Sequence, residues 1–171
     1  MATGQDAITG KPVTVDDKES ALTMRQTDSN WTLSSILLAT AGASLVLMGF
    51  YFLLLRPALL PEDIRFMAWS DAQLQGVWPR LEVWLSHVFQ VMGGFVVATG
   101  VLTITLATTA YRAHQRGAFI GALIGGAASI GLMAAVNFAI NSDFKWLLLG
   151  MALLWAISLA VFWHEDNRMA A

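Results

Sequence analysis

Four polar side chains stand inside otherwise apolar sequence: His87 and Gln90 in one stretch, Asn137 and Asn141 in another. Such groups are costly in hydrocarbon, so they face protein or water and mark either interhelical hydrogen bonds or a binding site. On a helix His87 and Gln90 lie ~60° apart at ~100° per residue, and Asn137 and Asn141 form an i, i+4 pair. Glu82, Asp143 and Lys145 follow just beyond them. This grouping predicts a polar ligand pocket beneath the loop 56–82. The competing reading is simple helix-to-helix bonding at ~0.6–2 kcal/mol for each bond, with Asp143 capping a helix or pairing with Lys145.

Few other chemistries have carriers. His87 could serve as axial ligand to a haem or chlorin, but a bis-histidine site would need a partner at its depth. His114 and His164 are expected at the opposite surface, so no cofactor is expected. The chain has no cysteine, which removes disulfides, thiolate catalysis and thiolate-bound clusters. No HExxH pattern offers a metal site, and Gly93-Gly94 lacks the strand-to-helix context of a phosphate loop. No carboxylate lies mid-span to relay protons, and no span serine or threonine has a base at its depth. Catalysis is not expected.

The elements that must position these residues are four long apolar stretches, 31–55, 83–108, 117–140 and 144–163. Each is long enough to cross a hydrocarbon core ~30 Å thick as a helix. The chain is 56% hydrophobic and 13% charged, about half the ~25% charge of a soluble domain. The expected fold is therefore all-α: a polytopic four-helix transmembrane bundle over residues 31–165. A polar tail of residues 1–30 precedes it, disordered or docked on a partner, with no apolar core of a secretory signal. A short tail, 166–171, follows. The net charge of −2 with scattered cations suggests neither nucleic acid nor a polybasic lipid clamp.

Arg112, His114 and Arg116 in the short connection between spans two and three place it in the cytoplasm, and with it both termini. The loop 56–82 then lies outside. Pro57, Pro61 and Pro79 divide that loop into two short amphipathic helices, one starting at Pro61-Glu62-Asp63 and one capped by Ser70 and Gln73. Gly117, Gly121 and Gly125 repeat at four-residue spacing, Gly94 and Ala98 follow in span two, and Ala39 and Ala43 in span one. These small residues predict helix-packing seams, with the asparagine pair ~180° away from the Gly117–Gly125 seam. The halves of the chain do not read as inverted repeats.

The segments LLPEDIRFM and WLSHVFQVMGGFVVATGVL resemble small four-helix bacterial inner-membrane proteins, broadly DoxX-like in layout, over residues 50–165. The resemblance implies a bacterial inner membrane and a four-helix bundle, and carries over no catalytic residue. The reading that follows is a non-catalytic accessory or assembly subunit contacting other membrane subunits. Its alternative is a binding or transport protein for an amphiphile, such as a lipid or quinone, in the outer pocket.

Overall fold

A computed structural model describes residues 31–68 and 70–169, side chains excepted at 71–75 and 77. The expectations for the tail 1–30 and for the Gln73 cap fall outside those residues and side chains. The chain divides into a unit of residues 1–31 and a unit of residues 32–171; the second is described here.

Thr32 sets the start of the first span. Its extended backbone and its Oγ1, accepting from Ser35 N at 3.3 Å, cap α1 (Leu33–Phe50), which a π-helical turn extends to Leu55. Pro61 at the first helical position and Asp63, whose carboxylate accepts Leu60 N at 2.9 Å, start the short α2 (Pro61–Met67). Ala68 in the left-handed region (φ 51°) ends it. The expected second loop helix does not stand apart. It forms the opening turns of α3 (Asp71–Leu106), which carries Pro79 within it and runs on through a π turn to Tyr111. Pro79 is the ninth residue of this helix, where a proline removes one backbone hydrogen bond and crowds the carbonyl four residues back, yet the helix continues through it.

After the turn at residues 112–115 come α4 (Arg116–Gly126), a π turn (Ala127–Gly131) and α5 (Leu132–Ala139), which together form the third span. The fourth is α6 (Lys145–Met169), so most of the supposed C-terminal tail is helix. Every described element is helical, and four stretches are long and apolar enough to cross a membrane. The protein is an all-α four-helix membrane bundle.

Its dry core sits at the end that holds the 112–115 turn. Leu38, Tyr111, Leu159 and Phe162 are buried there together. Tyr111 packs at a tilt against Phe162, ring centroids 4.5 Å apart, and donates to the carbonyl of Ser158 at 3.0 Å. Ser158 Oγ in turn donates to Ser34 O at 2.8 Å, and Ser34 Oγ to Glu165 at 2.5 Å. These buried hydroxyls tie α1, α3 and α6 into one network, as burial of polar groups in a low dielectric requires.

The seams differ from those expected. The most extensive interface joins α1 and α3 antiparallel. There Gly42 faces Gly100 and Gly49 faces Gly93: a Cβ built on Gly100 would lie 2.6 Å from Gly42 O, and one on Gly49 2.8 Å from Gly93 O. Glycine at seven-residue spacing on both helices lets the backbones touch. By contrast, Gly94, Gly117 and Gly125 have nothing within 4 Å of a built Cβ, and Gly121 meets Leu106 at 3.9 Å. Gly94, Gly117 and Gly125 thus pack no helix, and Gly121 makes only this one loose contact. The four-residue repeat was the wrong period, because an antiparallel seam between long helices recurs every seven residues. Gly94→Ala and Gly125→Ala should accordingly hold stability or raise it by ~0.5–1 kcal/mol, since Ala outranks Gly within a helix. Unfolding titrations in mild detergent check this, and a clear loss in either variant would restore these glycines as packing positions.

Candidate functional site

Toward the opposite end the bundle splays. α3 packs along α1 and meets α4 beside their connecting turn, but among the described residues it builds no comparable interface with α5. The gap between spans two and three opens into a cavity of about 820 Å³, lined by side chains of α1, α3, α5 and α6. This is near the upper end of the ~300–1,000 Å³ of ligand sites. A second cavity of about 220 Å³ lies nearer the core, lined by Leu38, Leu106 and Trp155 among others. Leu45, Thr99 and Ser129 line both. From Phe89 on the first to Leu106 on the second, α3 advances ~25 Å at ~1.5 Å per residue. The lining residues of the two cavities together extend over more of α3 than the ~15 Å of hydrocarbon in one leaflet.

The walls are apolar and the loop end is charged. Arg56, Glu62 and Asp63 line the cavity there. Arg56, its side chain 8% exposed, pairs with Asp63 at 3.1 Å and lays its guanidinium 3.5 Å from the centre of the Phe89 ring. Glu62 accepts Ser142 Oγ at 2.8 Å and Asp143 N at 3.2 Å. Arg65 reaches Asp143 at 3.0 Å. These contacts clamp α2 to the end of α1 and to the turn before α6, so α2 roofs the slot.

Of the four polar residues singled out in the sequence, Asn137 lines the cavity; His87, Gln90 and Asn141 do not. Asn137 Nδ2 donates to Met133 O at 2.8 Å, which leaves its side-chain carbonyl as an acceptor within the slot. His87 and Gln90 are exposed and bond each other at 3.2 Å. Helical phase explains this: with Phe89, Met92, Val96 and Thr99 facing the slot, His87 and Gln90 lie ~140–160° around α3. Asn141 takes up the left-handed turn (φ 54°) after α5 and accepts from Lys145. Asp143, expected to cap or to pair with Lys145, pairs instead with Arg65.

Asn137 and the glycine stripe lie much closer together than a regular helix allows. Twelve residues of α-helix would set Asn137 ~120° from Gly125. The π turn Ala127–Gly131 holds an extra residue and rotates α5 back by ~100°. Gly121 and Gly125 line the lower cavity, Asn137 the upper, and Ser129 both. Glycine here keeps space open.

No family model, curated protein or solved structure matches the chain. Function must therefore be argued from the slot itself. Sequence reasoning missed its charged residues, above all Glu62, which is buried (7% exposed) although it belongs to a loop. The proline–acid helix start was the available signal, but only the roof position of α2 makes it informative. Among the described residues, no cluster of three or more His, Asp or Glu is arranged to hold a metal.

Proposed function

We propose that this membrane protein binds and carries a long-chain amphiphile, without catalysing its conversion. The observation that carries the reading is the slot: an apolar cavity, open between spans two and three, that ends in charged groups under α2. An apolar chain entering sideways from the bilayer would bury its length against α1, α3 and α5, and its polar head would meet Arg56, Asp63 and Glu62. If the arginine-bearing turn at residues 112–116 is cytoplasmic, the head lies in the outer leaflet. The accessory-subunit reading drew on close-packed glycine faces, and on α4 Gly121 and Gly125 border the lower cavity instead.

Native mass spectrometry of protein extracted gently from its membrane tests this, with Val96→Trp as the comparison. Val96 faces the upper cavity, and an indole there fills space that the chain would occupy. Wild type should retain a stoichiometric amphiphile and the variant should lose it at least ~10-fold, about 1.4 kcal/mol. Equal retention would refute the slot as the site. Stoichiometric larger subunits on a protein that carries no amphiphile would support the accessory role instead.

A further inference from the structure

We propose that the ligand carries an ammonium group and that Glu62 is its counter-ion. This rests on the amphiphile reading and narrows it. Glu62 is the buried acidic residue among those described, and its side chain lines the upper cavity. Its two hydrogen bonds, from Ser142 Oγ at 2.8 Å and Asp143 N at 3.2 Å, use one lone pair on each oxygen. An ionised carboxylate accepts about four, so two acceptor positions stay open.

No cation among the described residues comes within ion-pair distance of Glu62. The nearby cations are engaged elsewhere: Arg56 with Asp63 and the Phe89 ring, Arg65 with Asp143, Lys145 with Asn141. A carboxylate withdrawn from water without a countercharge is costly, and buried charges are normally paired. An ammonium head at the mouth of an apolar slot supplies the missing charge and up to three donors. A neutral or anionic head does not.

The test compares dodecylamine, an ammonium at neutral pH, with dodecanol by native mass spectrometry of the purified full chain in a non-ionic detergent. Wild type should hold the amine about tenfold more tightly than the alcohol, the scale of one charge-assisted contact. Glu62→Gln should bring the two within about twofold, and Val96→Trp should lose both. Ser142→Ala, which keeps the carboxylate and removes one donor, should retain the preference for amine. Equal wild-type affinities, an undiminished preference in Glu62→Gln, or loss of preference in Ser142→Ala would each overturn the ammonium assignment. Failure of wild type to bind either compound would instead overturn the amphiphile reading beneath it.

Discussion

Gly100→Leu is expected to cost more than ~3 kcal/mol and to leave little folded bundle in mild detergent. Even a methyl at Gly100 would lie 2.6 Å from Gly42 O and 2.8 Å from Val46 N, both backbone atoms. Backbone cannot rotate aside as a side chain can, so α1 and α3 must separate along their whole length. That separation would also open the Gly49–Gly93 crossing, one seven-residue step away, where a Cβ on Gly49 is already 2.7 Å from Val97 N. Gly94→Leu is the control, because the same side chain six residues earlier points into open space. Chemical unfolding followed by circular dichroism should show a large loss for Gly100→Leu and little for Gly94→Leu. Similar losses in both would mean that leucine is simply poorly tolerated in α3 and that the paired glycines do not set the interface.

Gly126→Ala should be the other severe substitution, at ~3 kcal/mol. A Cβ there would fall 2.0 Å from Trp155 Nε1 and 2.2 Å from its Cε2. The indole is rigid and held in place, since Nε1 donates to Ala122 O at 2.9 Å. Moving it forfeits that bond, exposes a carbonyl to an apolar setting and disturbs the wall of the lower cavity, which Trp155 lines. The clash is with one side chain, so it should be reversible. Gly126→Ala combined with Trp155→Leu should be much more stable than the sum of the two single losses predicts. A double-mutant cycle measures this coupling. Strict additivity would show that Gly126 matters for some reason other than the indole.

These glycines show where sequence reading stops. Gly93-Gly94 is one dipeptide, and periodicity alone did not tell which residue meets α1. The four-residue repeat on α4 looked like a seam, and two of its glycines, Gly121 and Gly125, border a void. The spacing that builds the main interface, seven residues on each of two antiparallel helices, was present as Gly42–Gly49 and Gly93–Gly100. It becomes recognisable once the partner helix and its direction are known.

The sequence by itself determined the four spans, their all-helical class and the proline–acid start of α2. Hydrophobic length and local capping are near-neighbour properties, and a linear chain records them directly. Tertiary structure decided which faces meet. One extra residue in the Ala127–Gly131 π turn moves everything after it by ~100°, enough to bring Asn137 round to the slot. His87 and Gln90 stay outside because the glycine seam fixes the rotation of α3. Glu62 is buried because α2 folds back over the open end of the bundle, a long-range contact that no local pattern encodes.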